Sequence, residues 1–192
     1  MSNLNTRPQR LLGEGMLRAA QKHPEKIALV VEGKEYTYSQ LKDASLRLAA
    51  ALKGRGLKTG DRVAIYMDNT WPCIVSVYGT LLAGGIFFIV NPQTKGKKLE
   101  FLLNDSEAKI LLSDSHLTKN LIIATQEATC LQSIIASGSI NGDKFPTSIE
   151  VEDFDTVLET SPPLTNPLPV IPLDLAAFIY TCLLYTSDAA DE

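Results

Sequence analysis

The 192 residues hold only three cysteines, Cys73, Cys130 and Cys182, and no C-x-x-C pair. This odd, unpaired set excludes a disulfide framework and a cysteine-ligated zinc site, and it points to a reducing compartment, the cytoplasm. Histidine is scarcer still. His23 and His116 lie far apart, each in a polar stretch near a predicted helix end, and read as exposed residues rather than a catalytic pair. Basic charge is not in excess: 18 Lys and Arg face 22 Asp and Glu, a formal net charge of −4. No surface devoted to nucleic acid is therefore expected. The opening "MSNLNTRPQR" has no apolar core and does not fit a signal peptide. One apolar run, "CIVSVYGTLLAGGIFFIV", reaches the length of a membrane helix, but Gly84-Gly85 divides it into two pieces of ordinary buried size. No transmembrane segment is expected. A dinucleotide-binding dehydrogenase would want G-x-G-x-x-G after its first strand; here that strand runs through Glu32-Gly33-Lys34 into another strand.

What is present alternates between two periods. "RPQRLLGEGMLRAAQKH" carries apolar residues at helical spacing, interrupted by Gly13 and Gly15. "KIALVVEGKEYTY" reads as a hairpin that turns at Glu32-Gly33-Lys34. In "TYSQLKDASLRLAAALKGRG", Thr37 and Gln40 form a capping box, Leu41, Ala44, Leu48, Ala51 and Leu52 share one face, and Gly54 or Gly56 ends the helix. A turn at Lys58-Thr59-Gly60-Asp61 leads into the strand "RVAIYM", with Asp61 suited to bonding nearby backbone. "WPCIVSVYGTLLAGG" is a helix with Pro72 in its first turn and a stop at Gly84 or Gly85. "IFFIV" reads as a strand covered on both faces, followed by the Asn91-Pro92 turn. "TKGKKLEFLLNDSEA" is a helix with Leu99, Leu102 and Leu103 inward; "KILLSD" a strand, "HLTKNLIIATQEA" a helix and "LQSIIAS" a strand. From Gly138 to Pro172 the texture loosens into a proline-rich surface connection containing one short helix, "DFDTVLE". "LAAFIYT" then reads as a buried strand. The pattern predicts an α/β fold with a mostly parallel sheet flanked by helices.

Most chemistry-bearing residues read blandly. "SDSH" at 113–116 holds Ser, Asp and His, but as one local turn it does not make a triad, which needs a directed chain of hydrogen bonds. Cys73 and Cys130 are expected to be small buried hydrophobes, and Lys95, Lys97 and Lys98 a solvated helix face. Asn104-Asp105-Ser106 fits a glycosylation sequon without any sign of secretion. Trp71, Phe87 and Phe88 read as core rather than substrate pocket.

Taken together, "EGKEYTYSQLKDASLRLAAAL", "GRGLKTGDRVAIYMDNTWPCIVSVYGTLLAGGIFFIVNP", "KKLEFLLNDSEAKILLSD" and "DLAAFIYT" resemble, in order and spacing, the N-terminal part of the AMP-forming acyl-CoA synthetases of the adenylate-forming superfamily. The resemblance runs from about Pro24 to Thr181. It implies an arm over residues 1–23 and a partial AMP-binding domain over 24–181, incomplete because the remainder of that domain is missing. It further implies a parent enzyme that uses ATP and Mg2+ to activate a small-molecule carboxylate and coenzyme A to accept it. An adenylation domain that loads a carrier protein differs only in the acceptor. A non-enzymatic α/β binding module is the alternative from another class.

In that family the strand corresponding to "AAFIYT" enters a loop of the form T-S-G-S/T-T-G-x-P-K-G. The backbone N–H groups of such a loop surround phosphates, while its hydroxyls and lysine add donors and charge. Tyr180 and Thr181 match its approach, and Thr181 is the one nucleotide-binding residue the resemblance implies; no catalytic or metal-binding residue follows from it. Cys182-Leu183-Leu184 comes next, Asp188 stands where a glycine would, and no glycine or lysine occurs from Cys182 onward. "CLLYTSDAADE", residues 182–192, matches one reading frame of a transposase-type sequencing adapter. The expectation is that the natural sequence departs from this one after Thr181, and that the chain as it stands is inactive.

Overall fold

The structure is a computed structural model that describes residues 11–180. It opens with α1 (Leu12–Lys22) and the antiparallel hairpin β1 (Ile27–Val31) and β2 (Lys34–Thr37). Glu32 and Gly33 reverse the chain at φ of 50° and 78°, the left-handed backbone that a two-residue turn demands. α2 (Tyr38–Gly54) starts on the predicted box: the Gln40 N–H donates to Thr37 Oγ1 at 3.3 Å and the Thr37 N–H to Gln40 Oε1 at 2.8 Å.

Five parallel strands follow: β3 (Arg62–Tyr66), β4 (Ile86–Ile89), β5 (Ile110–Asp114), β6 (Ser133–Ser137) and β7 (Glu150–Asp153). Their order is β4-β3-β5-β6-β7. The connecting helices are α3 (Trp71–Ala83), α4 (Gly96–Asp105) and α5 (Thr118–Thr125), and α6 (Phe154–Thr160) follows β7. Alternate residues of each strand face opposite cores, as the pleat requires. On one face Val63, Ile65, Ile110, Leu112 and Ile135 meet Leu48 and Leu52 of α2, Val75 and Leu82 of α3 and Phe154 of α6. On the other, Ala64, Tyr66, Phe88, Leu111 and Ile134 meet Leu99 and Leu103 of α4 and Leu121 of α5. The sheet is therefore sandwiched between two helical layers, the α/β arrangement expected. No helix among the described residues is long and apolar enough to cross a membrane.

The turn chemistry is borne out. Gly60 sits at φ 86°, and the Lys58 N–H donates to Asp61 Oδ2 at 2.8 Å. Gly84 caps α3 at φ 84°. The Asn91-Pro92 turn is held from within the core, where the buried Tyr66 hydroxyl lies 3.0 Å from the Pro92 carbonyl oxygen and 2.7 Å from that of Thr94.

Four expectations are corrected. The stretch from Gly138 to Pro172 is not all connection, because Glu150–Asp153 joins the sheet as edge strand β7. The proline-rich remainder is a strap, tied where the Leu164 N–H donates to Leu46 O and the Leu168 N–H to Leu82 O. "LAAFIY" is not buried. It meets β4 through one parallel bridge, Phe87 to Ala177, and leaves Leu175 and Ile179 at 67% and 81% exposure. β4 is correspondingly covered fully on one face only, with Phe88 buried there, while on the other Phe87 packs partly buried against the core and Ile89 is half exposed. Cys73 is buried as expected, but Cys130 is only partly so.

Candidate functional site

β3 sends its chain through α3 on one face of the sheet, and β5 sends its chain through α5 on the other. Neighbouring parallel strands whose connections diverge in this way open a crevice beyond their carboxyl ends, the usual ligand position of an open α/β sheet. A cleft of about 780 Å³ lies there. The β1–β2 hairpin forms one wall with Val31, Glu32, Lys34 and Tyr36; Asp68, Thr70 and Trp71 beyond β3, Asp114 and His116 at the end of β5, Ser137 of β6 and Asp155 of α6 complete it.

Asp114 organises the floor. Its Oδ2 accepts the Asp68 N–H at 2.8 Å, which ties the end of β5 to the chain leaving β3. Ser113 reinforces the tie by donating to Tyr66 O at 2.8 Å. Burial pushes the Asp114 carboxyl above the usual carboxylate range, and the Asp68 charge adds to the rise; the Asp68 N–H and His116 pull the other way. His116 Nε2 lies 3.2 Å from Asp68 Oδ2. Tyr36 and Trp71 stack with centroids 4.0 Å apart, and Lys34 Nζ sits 5.0 Å from the Tyr36 ring centroid.

Chemically this is a cation-seeking cleft. Glu32, Asp68, Asp114 and Asp155 outnumber Lys34 and His116, and Lys34 is already engaged with an aromatic face. Four carboxylates repel a triphosphate, so this cleft does not fit the phosphates of ATP. Nor does it assemble a nucleophile with a base: Ser113 spends its hydroxyl on Tyr66 O, so "SDSH" makes no triad.

His116 is exposed, as expected, yet it meets two carboxylates. His23 is exposed and lies outside the cleft. Trp71 lines the cleft, whereas Phe88 is core. Lys95, Lys97 and Lys98 are solvated. Thr181, the implied nucleotide-binding residue, lies outside the described residues. Sequence reasoning missed Asp68. Its only signal was an acidic residue just past a strand, and strand order was needed to pair it with Asp114.

The profile of the AMP-binding enzyme family matches residues 16–182, and the chain belongs to that family. A long-chain-fatty-acid–CoA ligase of Bacillus subtilis is 34% identical over 106 residues, 55% of this chain and 19% of that protein. Tyrocidine synthase 3 of Brevibacillus parabrevis is 30% identical over 142 residues, 73% of this chain and 2% of that protein. Among solved structures, a benzoate CoA ligase from Burkholderia xenovorans superposes with a TM-score of 0.76 at 21% identity, over 88% of this chain and 32% of the other. The nonribosomal peptide synthetase FmoA3 superposes with a TM-score of 0.70 at 28% identity, over 91% of this chain and 16% of the other. The chain thus spans less than a third of the length of each of these relatives, and the fold is that of the N-terminal part of the adenylate-forming enzymes.

Proposed function

We propose that this chain is the N-terminal part of an AMP-forming acid–CoA ligase. The whole enzyme would join a carboxylate to the α-phosphate of ATP, releasing pyrophosphate, and pass the acyl group from AMP to the thiol of coenzyme A. A phosphate loop, a lysine and Mg2+ would stabilise the charge on the transferring group. The observation that carries this reading is the family match through residue 182, joined to the likeness to a fatty-acid–CoA ligase. The chain direction supports it. Residues near Ala177 run parallel to β4, toward the sheet edge where ligands of such folds bind.

The domain reading remains an arm over 1–23, a partial AMP-binding domain over 24–181 and an adapter-derived tail over 182–192, with Thr181 opening the nucleotide loop. The few cysteines favour the cytoplasm. Residues 1–192 alone lack the lysine and glycines of the loop after Thr181, so they do not catalyse the reaction.

A second reading, an adenylation domain loading a carrier protein, is favoured by the peptide-synthase relatives, one of which matches 73% of this chain. The test is carboxylate-dependent ATP–pyrophosphate exchange by residues 1–192 and by the complete reading frame. The complete protein is expected to exchange and residues 1–192 are not. Exchange by residues 1–192, or none by the complete protein across aliphatic, aromatic and amino acids, would contradict the proposal. Free-thiol loss on adding coenzyme A separates the two acceptors.

A further inference from the structure

We propose that Asp68, Asp114 and His116 form a binding site for a first-row divalent transition-metal ion, independent of any Mg2+ that accompanies ATP. Three elements converge to make it: the chain leaving β3, the end of β5 and the 3₁₀ turn after β5. One donor atom from each residue lies within 4.8 Å of the other two.

Asp114 is the anchor. It is only 7% exposed and lies on the cleft wall. Its Oδ2 takes the Asp68 N–H, and no donor among the described residues meets its other oxygen. That second oxygen is not sealed in the protein but opens to the acidic cleft, where an incoming cation can reach it. The Asp68 N–H and His116 relieve the burial of the Asp114 charge in part, while the lining carboxylates Glu32 and Asp155 keep the cleft acidic and Lys34 is held over Tyr36.

The donor set selects the ion. Two carboxylates and an imidazole suit manganese, iron, cobalt or zinc, whereas magnesium and calcium prefer all-oxygen shells. Asp68 and His116 have side chains 52% and 58% exposed, so their rotamers are free to close on an ion at about 2.0–2.2 Å. Three protein donors would leave positions open toward the cleft for water or a ligand oxygen.

The experiment titrates gel-filtered residues 1–192 with Co2+ alone, follows the visible ligand-field bands, and then adds Zn2+ or Mg2+ in competition. One saturable site is expected, without the near-ultraviolet thiolate band that cysteine ligation gives. Zn2+ should displace Co2+ and Mg2+ should not. His116→Ala and Asp68→Asn, both at exposed side chains, should each weaken binding at least tenfold, about the effect seen when a metal site loses a supporting group, with circular dichroism unchanged. Asp114→Asn keeps an acceptor for the Asp68 N–H and should weaken binding at least as much. Absence of saturable binding, displacement by Mg2+, or undiminished affinity in His116→Ala and Asp68→Asn (an adventitious ion elsewhere) would each overturn the site. None of these outcomes depends on adenylation activity.

Discussion

Gly79→Ala places a methyl group where α3 presses on α2. Its Cβ would lie 2.8 Å from Leu48 Cδ2, 2.9 Å from Cγ and 3.0 Å from Cβ. The first contact is relievable by rotation, but the last is not, because a Cβ moves only with its backbone. Leu48 is itself fully buried, so it has nowhere to go without displacing the core shared with β3 and β5. Overpacking of this kind costs about 1–3 kcal/mol. Alanine returns at most about 1 kcal/mol of helix propensity over glycine. The net expectation is a loss of up to about 2 kcal/mol, which lowers the urea midpoint by up to about 1 M at an m-value near 2 kcal/mol/M. Urea unfolding followed by circular dichroism measures it. In a Leu48→Ala background the same substitution should cost less, since Cδ2 and Cγ are gone and only the Cβ contact remains. A Gly79→Ala chain more stable than the parent would refute the close helix packing and the reasoning built on it.

Tyr66→Phe removes the hydroxyl that serves Pro92 and Thr94 and accepts from Asn120 Nδ2 at 3.1 Å. It should cost about 1 kcal/mol in the same assay, and no loss would mean that the turn does not depend on the core hydroxyl. The Cys73 thiol is pushed up to about 11 by burial and then by the charges of Asp114 and Asp68. Between pH 9 and 11 an unfolded Cys73 gives up its proton while the native one keeps it, so stability should fall as pH rises through that window. Cys73→Ser should flatten the decline. At pH 8, iodoacetamide should modify Cys130 long before Cys73, and equal rates would contradict the burial of Cys73.

Local chemistry was legible where it is self-contained. The hairpin turn at Glu32-Gly33, the Thr37/Gln40 box, Pro72 at the start of α3 and the apolar runs of β3, β5 and β6 each declare their structure through a few neighbouring residues. β7 was hidden because Glu150, Glu152 and Asp153 are charged, as an edge strand with solvent beside it can be. The Arg55 guanidinium of α2 pairs with Glu152, a contact invisible without the fold. "LAAFIY" misled in the opposite sense: its apolar composition suits a strand buried on both faces, yet only one bridge to β4 is made. The cleft was least legible of all. Asp68 and Asp114 are 46 positions apart, and they meet only because β5 returns to lie beside β3.

The most direct test of the account is to sequence the source DNA across the Thr181 codon. The account predicts that the frame continues into Ser-Gly-Ser/Thr-Thr-Gly and then Pro-Lys-Gly, followed by the rest of an adenylate-forming enzyme. A genome that encodes Cys182 to Glu192 in frame and then stops would contradict it, leaving the family as ancestry and a binding role for the acidic cleft as the working hypothesis.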